Sequence, residues 1–310
     1  MTNRIAVKNR ASEIFYKTAL ALLLILPLVF SEEIREGFSE GARLSFEAVL
    51  PAVFPYMILS KMIASFPVTG AGVLPRLFSK ITGLPPLGWQ AFVMGNAFGF
   101  PSGATVVHSL YSRGCLTESE AERLTSISNN PSPAFTVLVV GGGVMKSVRL
   151  GICLYFCVLA ATVICVFLFR QNERKSVESH EITGQNESFA SFVKDAGASC
   201  IAATCFIILF SMLLSALRAV IKARGAIIPF AVLFEVSNGV KEISCVFPKG
   251  SAAIPLLAFS LGFSGLSYHL QTAALLPEGI LTKRYYLIKL IEGIIAAVLG
   301  AILSPFIIGI

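Results

Sequence analysis

Apolar runs of about 20 residues recur along the chain, the length that carries a helix across the hydrocarbon core of a bilayer. A membrane barrel would instead show short alternating segments. Long runs occupy residues 14–30, 44–66, 147–169, 196–217 and 285–308, and the run 44–66 is irregular, carrying Glu47, Pro51, Pro55 and Lys61. Other apolar stretches are broken in the middle. Residues 87–110 are interrupted by Gly99-Phe100-Pro101-Ser102-Gly103. Pro101 removes a backbone donor and clashes with the preceding turn, and the flanking glycines relax the backbone. Each half is too short to span, so the pattern predicts a re-entrant hairpin at 87–111. A proline-kinked helix, or a small-residue packing face at Gly95, Gly99 and Gly103, are the structural alternatives. Broken backbone at membrane depth persists only inside protein or against a water-filled cavity, and in transporters such breaks hold the substrate.

Further breaks follow the same logic. Thr117 and Glu120 form a capping box that starts a charged helix over 118–128. That helix stops at Asn129-Asn130-Pro131-Ser132-Pro133, and an apolar half-helix resumes at Ala134 and ends at Gly141-Gly142-Gly143. The alternative for this break is a surface loop. The run 227–247 is interrupted by Glu235-Val236-Ser237-Asn238-Gly239, and Glu235 is a candidate functional group because it is ionisable within an apolar segment. The run 256–276 contains Leu261-Gly262-Phe263-Ser264-Gly265-Leu266-Ser267, read as a second hairpin over 251–277. Gly99–Gly103 loosely matches Gly262–Gly265, and each is followed by a Gly-x-Leu-Thr turn at Gly114 and Gly279. Duplicated broken helices point to a transport site.

The fold class predicted is an all-α polytopic membrane protein of two repeats with re-entrant hairpins and broken transmembrane helices. Its divisions are 1–43, an N-terminal span and acidic connection; 44–169, the first repeat; 170–195, a hydrophilic linker; and 196–310, the second repeat. Arg4, Lys8, Arg10 and Lys17 against Glu13 place the N-terminus in the cytoplasm, and Glu32, Glu33, Glu36 and Glu40 fit the opposite side. No small-residue cleavage site follows the first run. Beyond residue 117 two topologies stay open. Either Arg218, Lys222 and Arg224 or the basic linker after Phe169 falls outside. Glu47 and Lys61 either face inward or snorkel to the interfaces.

Composition narrows the function classes. Of 310 residues 55% are hydrophobic and 14% charged, against about 25% charged in soluble domains. The net charge of +7 is scattered without aromatic interleaving, so it speaks for cytoplasmic loops and an anionic leaflet rather than nucleic acid. Seven cysteines give no CxxC pair and no disulfide framework. His108 and His269 follow two breaks at similar offsets, but with no acid cluster they read as polar packing, and no catalytic or metal residues are assigned. The absence of a Walker A loop argues against direct ATP drive.

The pieces Val49-Leu50-Pro51-Ala52-Val53-Phe54-Pro55, Gly99-Phe100-Pro101-Ser102-Gly103-Ala104, the helix from Leu116-Thr117 to Leu124, Asn129-Asn130-Pro131-Ser132-Pro133-Ala134-Phe135, and Gly262-Phe263-Ser264-Gly265-Leu266-Ser267 with Gln271 resemble the sporulation integral membrane protein YlbJ family, built on the nucleoside-recognition gate domain. The resemblance covers most of residues 44–290. It implies two gate-type repeats in an inverted-repeat fold similar to concentrative nucleoside transporters. It also implies a role in endospore formation, where the family is linked to moving dipicolinate into the developing spore. Members are often longer than this chain, and Ser132 stands where a glycine is expected.

The resulting expectation is a secondary transporter of a small organic anion, not an enzyme, in the bacterial cytoplasmic membrane or a forespore membrane. A nucleoside-like solute, or a non-transporting envelope assembly role in sporulation, are the alternatives. The expected substrate-binding residues are Asn96, Gly99, Ser102, Gly103, Asn129, Asn130, Ser264, Ser267 and Gln271. Glu235 is the coupling-ion candidate for H+ or Na+, or else pairs with Lys241 or Lys61. No cofactor is expected, and the partners are the anion and the lipid bilayer, with a homo-oligomer allowed. With few buried cations in view, helix N-termini near Ser102-Gly103 and Ser264–Ser267 are expected to hold the anion.

Overall fold

The computed structural model describes residues 25–65, 70–170, 188–248 and 251–308, together with residue 17. Most of the first run at 14–30, the basic residues Arg4, Lys8 and Arg10, and most of the linker, His180 included, lie outside the described residues. Regular structure among the described residues is helical throughout. Among the described residues five helical stretches are long and apolar enough to cross a membrane: Ser31–Ile63, Val148–Leu168, Phe189–Val220, Ala253–Leu275 and Lys283–Phe306. The chain is an all-α polytopic membrane protein.

Helix α1 (Ser31–Arg43) runs through a π-helical turn at Leu44–Val49 into α2 (Leu50–Ala64). The acidic stretch expected as a connection is therefore helix, continuous with the span that follows. The wide π turn just before Pro51 eases the fit of a proline ring and its missing N–H. Gly37 and Gly41 set α1 hard against α9 (Phe189–Val220): a Cβ at these positions would lie 2.7 Å from Met212 Cα and 2.8 Å from Ile208 Cα. Glu40 closes this contact by pairing with Arg218 of α9 and with Lys241. Glu47 is exposed and does not face inward. Helix α9 itself begins at Phe189, capped by Ser188 Oγ accepting from Ser191 N at 3.2 Å, so the last residues assigned to the linker are helical.

Past α3 (Val73–Thr82), the run at 87–110 forms α4 (Gly88–Phe98) and α5 (Ser102–Ser112), folded back on each other about Gly99–Pro101. A Cβ on Gly103 would lie 3.0 Å from Gly95 Cα. The same glycines also form a packing face: Ser128 O would be 1.6 Å from a Cβ on Gly95 and 2.0 Å from one on Gly103. Hairpin and small-residue contact thus coexist. Next come α6 (Glu118–Ser128) and the π-helical α7 (Ala134–Val144), one helix broken at 129–133, and then α8 (Val148–Leu168). The capping box is formed: Thr117 Oγ1 accepts from Glu120 N at 3.3 Å and Glu120 Oε2 accepts from Thr117 N at 2.8 Å.

In the second half the hairpin is not where the sequence pattern put it. Helices α10 (Arg224–Phe234) and α11 (Val236–Val246) fold back on each other about Glu235, and a Cβ on Gly239 would lie 3.0 Å from Val232 Cα. The stretch expected as the hairpin 251–277 is instead α12 (Ala253–Phe263) and α13 (Gly265–Leu275), which run on as one 23-residue span. The physical reason lies in the two junctions. Glu235 is extended, with φ −158° and ψ 133°, and lets the chain reverse. Ser264 and Gly265 are left-handed, with φ 71° and 81°, and re-aim the chain without folding it back. Both junctions keep the incoming helical bond, Glu235 N to Ala231 O at 3.0 Å and Ser264 N to Ser260 O at 2.8 Å, so the backbone angles make the difference. Helix α14 (Lys283–Ile308) follows and packs on α8 and α12.

Each half therefore reads long helix, hairpin, broken helix, long helix. By element order the partner of the Gly99 tip is the Glu235 tip, and the partner of the 129–133 break is Ser264-Gly265. The two larger apolar clusters among the described residues sit beside the hairpins. One gathers Leu84, Met94, Leu110 and Leu124 around the first hairpin, and the other gathers Leu154, Ile243, Leu257 and Leu261 around the second.

Candidate functional site

Four breaks converge in the interior. Gly99 abuts the 129–133 break, since a Cβ there would lie 2.6 Å from Ser132 N. Gly265 abuts the Glu235 tip, with Glu235 Cα 3.1 Å from the corresponding point. The first tip meets the broken span of the second half through Phe100 and Tyr268, whose ring centroids are 4.4 Å apart. Between these elements lies a cavity of about 80 Å³, lined by Phe100, Pro131, Ser132, Glu235, Ser237 and Gln271 among others. One water needs at least about 10–15 Å³ of such volume, so several fit. Val53 and Met57 of α2 and Ile207 of α9 close its apolar side.

The cavity's polar wall is made of helix starts. Ser132 and Phe135 lie at the N-terminus of α7, Val236 and Ser237 at that of α11, and Ser267 and Tyr268 in the first turn of α13. Phe100 lies two residues before the start of α5. Helix N-termini carry unpaired N–H groups and a partial positive charge. Side chains meet part of that demand. Ser132 Oγ accepts from Phe135 N at 3.1 Å, and Glu235 Oε2 accepts from Asn238 N at 2.8 Å. Glu235 is therefore the N-cap of α11 as well as a cavity wall. Its expected partner Lys241 is paired with Glu40 of α1 instead.

The residues expected to bind substrate divide into three groups. Ser267 and Gln271 reach the cavity, with Gln271 Nε2 donating to Ser267 Oγ at 3.0 Å. Gly99, Ser102, Gly103 and Ser264 shape its surroundings. Ser264 Oγ donates to Leu261 O at 2.9 Å within its own helix, so it offers no free donor. Ser102 Oγ is buried without a hydrogen bond among the described residues. The serines on the cavity wall are Ser132, Ser237 and Ser267.

Asn96, Asn129 and Asn130 belong instead to a buried polar network that the sequence reading did not foresee. Its centre is Lys289 and Glu292 of α14, both fully buried and paired at 2.7 Å. Lys289 Nζ also donates to Asn130 Oδ1 at 2.7 Å and Asn129 O at 3.2 Å. Asn130 Nδ2 donates to Asn96 Oδ1 and to Thr162 Oγ1, each at 2.9 Å. Thr162 Oγ1 lies 2.7 Å from Glu292 Oε1. Asn129 Nδ2 donates to Thr272 Oγ1 at 2.6 Å and Tyr285 OH at 3.2 Å. The missed signal is two opposite charges three residues apart inside the run 285–308, a pattern that an apolar span keeps only for an interior purpose. The expectation that the spans hold few buried cations overlooked Lys289.

Helix α6 departs from its polar reading in the same way. Residues 120–128 are all buried. Glu122 Oε1 accepts from Thr282 N at 2.7 Å and Tyr285 N at 3.2 Å, capping α14 from another helix. Arg123 Nη2 donates to Thr82 O at 2.8 Å. His108 is exposed near Ser112, whereas His269 is buried with Nδ1 3.2 Å from Tyr285 OH. All seven cysteines are free thiols.

No family model matches the chain, and no solved structure matches it. The chain is 27% identical over 308 aligned residues to the sporulation integral membrane protein YlbJ of Bacillus subtilis (strain 168), covering 85% of this chain and 76% of the relative. Together with the motifs at the four breaks, this similarity supports assignment of the chain, an integral membrane protein, to the family of sporulation integral membrane protein YlbJ.

Proposed function

We propose that the protein is a secondary transporter of a small organic anion in the cytoplasmic or forespore membrane of a spore-forming bacterium, with dipicolinate as the favoured cargo. The observation that carries this reading is the meeting of the N-termini of α7, α11 and α13 at one interior cavity. Three partial positive ends, with serine hydroxyls and an amide, suit carboxylate oxygens and need no lysine in the wall. The cavity of about 80 Å³ is small for a heteroaromatic dicarboxylate, so binding requires the hairpin tips to separate. Each tip is seated on the break of a spanning helix, Gly99 on Ser132 and Glu235 on Gly265. In this reading the two halves, each with its hairpin and broken helix, form a gate-type pair.

Glu235 is the coupling group in this reading. A charged carboxylate beside the N-terminus of α11 competes with an incoming anion, and a proton on it removes that competition. Proton and anion then enter together. Glu235→Gln retains a side-chain oxygen to accept from Asn238 N, so the protein is expected to fold and reach the membrane. Uptake of labelled dipicolinate driven by an inward proton gradient into proteoliposomes is expected to be abolished. Undiminished gradient-driven uptake by Glu235→Gln would assign Glu235 to helix capping alone.

The neutral pair Gln271 and Ser267 on the wall favours a second reading, an uncharged nucleoside-like solute recognised by hydrogen bonds. Competition between solutes separates the two.

A further inference from the structure

The network around Lys289 has the composition of a monovalent-cation seat. Its oxygens are a backbone carbonyl at the C-terminal end of α6 (Asn129 O), an amide oxygen (Asn130 Oδ1) and a carboxylate oxygen (Glu292 Oε2), at 3.2, 2.7 and 2.7 Å from Nζ. Carbonyls at an interrupted helix's C-terminal end carry partial negative charge and coordinate cations in broken-helix membrane proteins. The orientation of Asn130 is fixed independently. Its Nδ2 donates to Asn96 Oδ1 and Thr162 Oγ1, which turns Oδ1 toward the ammonium. The three oxygens come from both sides of the molecule, two from the first-half break and one from α14. Lys289 and Glu292 are each 0% exposed.

We propose that this is a seat for a monovalent cation, occupied permanently by the tethered ammonium of Lys289. Distances of 2.7–3.2 Å are those of ammonium and potassium contacts to oxygen rather than the shorter ones of sodium. The native protein then needs no dissolved cation to hold the 129–133 break against α14. The seat is separate from the cavity and does not depend on the transport reading.

Lys289→Ala removes a propylammonium fragment and leaves both its charge site and its volume vacant. The test is thermal unfolding of the purified full chain in choline chloride, potassium chloride and n-propylammonium chloride at equal ionic strength. Native protein is expected to melt at the same temperature in all three. Lys289→Ala is expected to melt several degrees lower in choline. Potassium and n-propylammonium should restore it, with a gain that grows with concentration as a bound ligand requires. Lys289→Ala with Glu292→Gln should lose that restoration. Because the cytosol supplies potassium, Lys289→Ala is expected to accumulate folded. Failure to fold in every salt, identical melting in choline and the small cations, or an equal gain for native protein would overturn the proposal.

Discussion

Lys289→Met is expected to destabilise the protein by about 3–5 kcal/mol, because it leaves the Glu292 carboxylate buried without its counter-charge. Met fills most of the vacated volume, so the loss reports charge rather than a cavity. The hydrogen bonds from Nζ to Asn129 O and Asn130 Oδ1 go at the same time. Glu292→Gln should be equally harmful from the other side, leaving an unpaired ammonium. The double variant Lys289→Met/Glu292→Gln is expected to recover most of the stability, since removing both members of a buried pair is often near neutral. Thermal unfolding in detergent checks this. Each single variant should melt about 10 °C lower, and the double variant should lie well above both. Additive losses in the double would mean that packing, not pairing, sets the contribution.

Gly95→Ala is expected to prevent normal folding of the first hairpin. The added Cβ would sit 1.6 Å from Ser128 O, a backbone atom that no rotamer change can move. Relief requires α6 to shift away from α4, and that shift disturbs the adjacent break at Asn129. Asn96 Nδ2 donates to Ile127 O at 3.1 Å, so the same interface also loses a hydrogen bond. Overpacking against side chains costs about 1–3 kcal/mol, and against fixed backbone the cost is expected to exceed that. Gly197→Ala is the matched control, because nothing lies within 4 Å of its added Cβ. The measurement is the yield of monodisperse protein after detergent extraction. Near-native yield for Gly197→Ala and little for Gly95→Ala is the expected pair of results.

Much of the fold was legible in the sequence because membrane-length runs and helix breakers are local signals. The Thr117–Glu120 capping box, the stop at Asn129–Pro133 and the Gly99–Pro101 tip all stand where the residues put them. The second hairpin was misplaced because Gly262-Phe263-Ser264-Gly265 looks like Gly99–Gly103, yet two successive left-handed residues, Ser264 and Gly265, re-aim the chain there without reversing it. Conversely, Glu235 marked a break whose reversal only tertiary packing reveals. The acidic 32–43 stretch looked like a loop because its helical purpose lies in Gly37, Gly41 and Glu40, whose partners are on α9 and α11. The cavity wall was half legible. Ser267 and Glu235 were named from broken runs and Gln271 through the family resemblance, but Ser132 and Ser237 reach it only through convergence of distant breaks. Lys289 and Glu292 were readable by the rule that singled out Glu235. An otherwise uninterrupted apolar run masked them.

The most direct test of the central claim is competition for labelled dipicolinate in proteoliposomes holding the purified chain. The account predicts protein-dependent uptake that unlabelled dicarboxylates suppress and uridine does not. It also predicts that alanine at Ser132, Ser237 or Ser267 weakens that uptake. Suppression by uridine alone, or no uptake above protein-free liposomes, would contradict it.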